Sequence, residues 1–118
     1  MFINFSNHPR TKWGTEQLAA AKEYGEVVDM AFPNVNPAAS TKEIHELAKS
    51  YADKMLKMQP SCVLCQGEFC ICFAVISELK KNGIKVVAAC SERKVEEKKV
   101  GDDTQKVSYF SFVQFREY

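Results

Sequence analysis

The residues best equipped for chemistry lie in three polar segments. The first, Ser6-Asn7-His8-Pro9-Arg10-Thr11-Lys12-Trp13, gathers an imidazole, two cations, hydroxyl and amide groups and an indole. Such a loop could contact a ligand, because His8, Arg10, Lys12 and Trp13 bring hydrogen-bonding, cationic and aromatic groups within a few residues of one another. The second is Gln66-Gly67-Glu68, where a glycine next to a helix start would let backbone amides approach an anionic ligand. The third is Ser91-Glu92-Arg93-Lys94, with Arg93 as a candidate phosphate clamp.

Each segment also has a plainer reading. Asn7-His8-Pro9 can be no more than a turn. Gln66-Gly67-Glu68 can be a strand–helix junction whose Glu68 complements the helix dipole. Arg93 can pair with Glu92 on the surface, which contributes little. His45 falls among polar positions of a helix and reads as solvated.

The elements that must position these residues follow from the hydrophobic pattern. Met1–Phe5 is a short apolar strand, and the first polar segment is the loop after it. Thr15 is placed to cap a helix over Glu16–Tyr24, with Gly25 as its stop. Val27–Phe32 reads as a second strand, closed by Pro33. Ile44, Leu47, Ala48, Tyr51, Ala52, Met55 and Leu56 then recur at helical spacing, with Ser40 and Glu43 forming a capping box and Pro60 closing the helix. Ser61–Gln66 is a third strand. Glu68–Lys81 is a helix apolar nearly all round, which implies burial on more than one side. Ile84–Cys90 is the fourth strand.

Near-continuous apolar strands alternating with helices specify an α/β fold with a parallel sheet covered on both faces. The economical arrangement of the four strands is the order 2-1-3-4, which puts the ligand crevice at the carboxyl edge between strands 1 and 3. The three polar segments follow strands 1, 3 and 4 and would converge there. After Ser91 the pattern changes. Val95–Val100 and Lys106–Tyr118 flank the turn Gly101-Asp102-Asp103-Thr104 and form a closing antiparallel hairpin. Its last strand carries Val107, Tyr109, Val113 and Phe115 on one face and Phe110, Phe112 and Tyr118 on the other. Something must cover such a strand, a helix or a second subunit, and a homodimer is the expectation.

Composition sets outer limits. With 118 residues the chain makes a single domain, and 26% charged with 46% hydrophobic residues is globular. Sixteen Lys and Arg balance fifteen Asp and Glu, which excludes binding duplex nucleic acid through bulk charge. No apolar run approaches the ~18–20 residues of a membrane crossing. The start, MFINFSNHPR, lacks the basic and apolar regions of a secretory signal. The odd cysteine count, Cys62, Cys65, Cys70, Cys72 and Cys90, falls inside hydrophobic segments. Together these point to a reduced, cytoplasmic protein. Cys62 and Cys65 have CxxC spacing, but strand residues three apart point to opposite faces, so no metal is expected. Neither GxxxxGK[ST] nor GxGxxG occurs, and no cofactor is expected.

Ile3-Asn4-Phe5-Ser6-Asn7-His8-Pro9 followed by Thr15-Glu16-Gln17-Leu18 resembles the opening of small CRISPR-associated Rossmann-like proteins, relatives of CARF domains and stand-alone ring nucleases. The likeness covers about the first twenty residues. It implies a Rossmann-like three-layer sandwich and a homodimer that binds cyclic oligoadenylate in a cleft made by both subunits. It also implies cleavage without a metal in some members, by attack of a ribose 2′-OH on the adjacent phosphate. In that chemistry Arg93, Lys12 and Arg10 would clamp the phosphate and His8 would protonate the leaving oxygen, with Ser6, Asn7, Trp13, Gln66, Gly67, Glu68, Ser91 and Lys94 around the ligand. The competing readings are a mononucleotide or nucleoside protein, favoured by a closed crevice in one chain, a non-catalytic nucleotide sensor, and a structural partner subunit.

Overall fold

The computed structural model describes residues 1–118. The body is built from β1 (Phe2–Ser6), α1 (Thr15–Lys22), β2 (Val27–Ala31), α2 (Thr41–Met58), β3 (Cys62–Cys65) and α3 (Phe69–Lys81), and two long strands follow, β4 (Val86–Val100) and β5 (Asp103–Glu117). The five strands form one sheet in the order β2-β1-β3-β4-β5. Pairing is parallel from β2 to β4 and antiparallel between β4 and β5. The expected 2-1-3-4 core and closing hairpin are both present. No helix is long and apolar enough to cross a membrane.

Alternation along the strands divides the core into two layers. Ile3, Phe5, Val63, Cys65 and Val86 face Ile44, Ala48 and Met55 of α2 and Ile71, Val75 and Leu79 of α3. Phe2, Cys62, Leu64 and Val87 face Ala21 and Leu18 of α1 on the other side. Cys62 and Cys65 therefore lie on opposite faces, as a period of two requires. The central strands are buried on both faces, which is why they read as unbroken apolar runs.

The capping box predicted at α2 is complete: Ser40 accepts from the Glu43 amide, and Glu43 accepts from the Ser40 amide. The helix ends on Gln59 in the left-handed region (φ 52°), immediately before Pro60. Gly25 sits at φ 116°, where a side chain is strained, and a Cβ there would also lie tight against the Met1 backbone, 3.3 Å from its nitrogen.

Four expectations need correcting. Thr15 is the first residue of α1 and not its cap; Gly14 occupies the cap position and supplies no side-chain hydrogen bond. α3 is apolar nearly all round, but the burial on more than one side expected from that does not reach Phe69 and Phe73, which are 88% and 77% exposed. Cys70 on the same helix is also exposed, and not a buried hydrophobe. Finally, Ser91–Lys94 is not a loop. β4 runs unbroken to Val100, and the hairpin projects from the body with every residue from Ser91 to Phe110 exposed. The chain has a radius of gyration of 17.1 Å, against ~13.5 Å for a compact domain of its length.

The β4–β5 register slips once. Cys90 pairs with Gln114 but Ser91 pairs with Phe112, leaving Val113 as an extra residue in β5. The bulge brings Phe112 and Phe115 onto one face, their rings 4.9 Å apart, although simple alternation assigns them to opposite faces. Phe115 then packs on Phe2 at 5.2 Å and seats the base of the hairpin on the α1 layer.

Candidate functional site

The carboxyl edge of the parallel strands opens into a cleft of about 670 Å³ on the α1 side of the sheet. Its floor is Leu64 with Gln66 and Gly67 at the end of β3. One wall is the β1–α1 loop with Ser6, Asn7, His8, Lys12 and Trp13, continued by the first turn of α1. The opposite wall is the root of the hairpin: Ala89, Ser91, Phe110, Ser111 and Phe112. β1 connects to β2 on one side and the chain crosses to β3 on the other, so this is the switch point of the sheet. The volume falls in the range of small-ligand sites.

The loop bearing His8 is held by a polar knot centred on the buried Asn4. Asn4, 2% exposed in the middle of β1, donates from Nδ2 to the His8 carbonyl and to Asp29 Oδ1, both at 2.9 Å. Ser6 Oγ donates to Asn4 Oδ1 at 2.7 Å and accepts from the His8 amide at 3.3 Å. Asp29 Oδ1 also accepts from the Arg10 amide at 3.1 Å. The backbone of residues 6–10 is thus tied to β1 and β2 by side chains. Asn4 and Asp29 were absent from the sequence-based candidates; their signal was a polar residue inside each of two short apolar strands.

Several candidates take other roles. Arg10 turns away from the cleft, and its Nη1 donates to the Val27 carbonyl beside β2. Glu68 caps α3, its carboxylate accepting from the Cys70 amide at 2.9 Å and the Ile71 amide at 2.8 Å. Those two backbone amides hold the Glu68 carboxyl below the ordinary glutamate range. The chain's own carboxylate takes up two of the free amides at this end of α3, as in the plainer reading of Gln66-Gly67-Glu68. Gly67 is glycine for packing: a Cβ there would come within 2.6 Å of the Phe32 ring. Gln66 lines the cleft but also accepts from the Ala89 amide through Oε1 at 2.8 Å.

On the hairpin, Ser91 lines the cleft and Arg93 does not. Arg93 pairs with Phe110 one step further out along β4. Lys94 lies on the opposite face of the strand and makes a 3.7 Å ion pair with Glu92, both largely exposed. The structure therefore brings together Ser6, Asn7, His8, Lys12, Trp13, Gln66, Gly67 and Ser91, and leaves Arg10, Glu68, Arg93 and Lys94 outside.

The chemistry of what remains is modest in charge and rich in flat apolar surface. Lys12 and Glu16 are the charged lining residues, and His8 adds an imidazole. The first turn of α1 presents backbone N–H groups that Gly14 leaves uncapped. Trp13 is partly committed to the core, with its ring edge-on to Phe2 at 6.2 Å and 6.4 Å from Phe115. Phe110, 76% exposed, is the free aromatic surface at the mouth.

Behind the cleft Cys65 and Cys72 form a thiol pair between β3 and α3. The Cys65 thiol is hydrogen-bonded to Cys72, which with burial holds Cys65 protonated and draws Cys72 below the usual thiol range. Cys62, on the other face, is pushed up to about 11 by burial. With their thiols held protonated, Cys62 and Cys65 are poor nucleophiles.

No curated protein and no solved structure matches the chain. A family model does match it, over residues 1–116, and by that match the chain belongs to the uncharacterized protein MJ1673 family.

Proposed function

We propose that the cleft binds a small phosphorylated ligand of the adenine-nucleotide class, with Lys12 and the uncapped first turn of α1 on the phosphate and Phe110 and Trp13 beside the base. The observation that carries this reading is the convergence of His8, Lys12, Gln66 and the start of α1 at the switch point of a largely parallel sheet. The resemblance of the opening residues to small CRISPR-associated proteins extends the proposal to a cyclic oligoadenylate, bound where the clefts of two copies meet. Five unpaired thiols suit a reducing compartment such as the cytoplasm.

In the catalytic form of this proposal, a ribose 2′-OH attacks the neighbouring phosphate, the P–O5′ bond breaks and a 2′,3′-cyclic phosphate remains. The 2′-OH proton passes to water in the open cleft, and His8 protonates the departing 5′ oxygen. Lys12 and the α1 amides stabilise charge on the phosphoryl oxygens. In the sensor form the same groups only bind. Arg93 has a part only if a second copy brings it to the ligand.

Calorimetry with adenosine monophosphate and with cyclic oligoadenylates tests the reading. Wild type should bind at least one of them, and Lys12→Ala should bind it about 10- to 100-fold more weakly through loss of a charge-assisted contact. His8→Ala should keep affinity and lose ~10²–10⁴ in cleavage rate if the protein is a nuclease. Absence of heat with both ligand types would overturn the proposal.

A further inference from the structure

The outer edge of β5 is a long open edge of the sheet. Strand β5 has fifteen residues and a neighbour on one side only. Its central stretch, Val107-Ser108-Tyr109-Phe110-Ser111-Phe112-Val113, contains no charge, proline or glycine. Tyr109, Phe110 and Val113 are 39%, 76% and 56% exposed. Open edges are normally blunted by charge, proline or short length, and this stretch has none of these. A row of free backbone N–H and C=O groups is matched in full only by another strand.

We infer that the occupant is a second copy of this chain, paired antiparallel β5 to β5 about a two-fold axis at Ser108. The strand is self-complementary in that register. Tyr109 of each copy lies opposite Val107 of the other, an aromatic–β-branched pair made twice. Lys106 lies opposite Phe110 twice, a cation beside an aromatic face, and no like charges are opposed. The arm of each copy then lies along the root of the other's hairpin and is supported over its length. The joined strands also widen the sheet beside α3, where Phe69 and Phe73 are exposed. Lys80 on the same helical face reaches the Tyr118 carbonyl, so this face looks towards the β5 edge.

The pairing completes the cleft. Lys106, Ser108, Phe110 and Phe112 share the α1 face of β5, because the single bulge lies beyond them at Val113. Phe110 lines the cleft mouth. The second copy's Lys106 would therefore arrive beside Phe110 and add a cation to a cleft that has only Lys12 within one chain. This part of the inference rests on the ligand reading above; the strand pairing does not.

Sedimentation equilibrium and thiol cross-linking test it. Wild type should sediment at twice 13.4 kDa, and Phe110→Lys should shift the equilibrium at least tenfold towards monomer. In a background with Cys70→Ser and Cys90→Ser, Ser108→Cys should cross-link between copies with a short bis-maleimide. Gln105→Cys should not, since its two copies would lie roughly 20 Å apart. A wild-type monomer at all concentrations, or a dimer in which Gln105→Cys links and Ser108→Cys does not, overturns the inference. Calorimetry with adenosine monophosphate separates the two proposals. A dimer that cross-links at Ser108 but binds nothing leaves the pairing standing and removes the ligand; a monomer that binds does the reverse.

Discussion

Gln66 stands in for a missing strand. Its Oε1 accepts the Ala89 amide at 2.8 Å just beyond the point where β3 stops and β4 continues, the place a backbone carbonyl would fill in a longer β3. Gln66→Leu should leave that half-buried amide without a partner and cost ~1–2 kcal/mol in urea unfolding, while Gln66→Glu should cost less. Equal loss from both variants would show that the carbonyl oxygen is not what matters.

Gly67 and Phe32 should be energetically coupled. Gly67→Ala forces the Phe32 ring from its place against Phe5, where the centroids are 4.6 Å apart, and should destabilise the protein by ~1–3 kcal/mol. Repeating the change in a Phe32→Leu background should cost markedly less. A double-mutant cycle with no coupling would dissociate the glycine from the ring.

Glu68 predicts a pH dependence confined to acid. Its folded pKa lies below the unfolded value near ~4.3. The ionised cap therefore stabilises the fold above that value, and the benefit disappears as pH falls through the lower folded pKa. Chemical denaturation of wild type and Glu68→Ala should give a constant difference at neutral pH that shrinks towards zero in acid. A gap that persisted in acid would mean the carboxylate charge is irrelevant.

Arg93 and Lys12 should behave differently towards a mononucleotide. Lys12 lines the cleft and Arg93 does not. Lys12→Ala should weaken binding by ~1.5–3 kcal/mol, and Arg93→Ala should leave it unchanged. Isothermal titration of both variants with adenosine monophosphate checks this, and a loss at Arg93 would mean that the outer hairpin bends into the site or that a second copy brings Arg93 to it.

Much of the architecture was readable from residue order. α2 announced itself by apolar spacing and by Ser40 with Glu43, both local signals. The strand order followed from β–α alternation and the economy of right-handed crossovers. The lining of the cleft was legible at His8, Lys12 and Trp13 because they share one loop. It was misread at Arg93 because Ser91-Glu92-Arg93-Lys94 is polar on both faces. A strand in water on both sides has the same composition as a loop. The Val113 bulge leaves no periodic trace, and its effect on Phe112 appears only in three dimensions. Gly67 illustrates a different limit. Phe32 is far away in sequence, and nothing beside the glycine says that an aromatic ring needs its space.

The projecting hairpin also divides the molecule's motions. Within the body, β1 is paired on both sides, with β2 and with β3, so its amides should exchange with solvent only when the whole domain opens. In the arm, each rung of the ladder from Ser91 outward can fray without disturbing a single core side chain. Hydrogen exchange there should report local opening even when the body is fully protected. If two arms zip together, the protection of the outward-facing β5 amides becomes a property of protein concentration, and dilution alone would loosen one wall of the cleft.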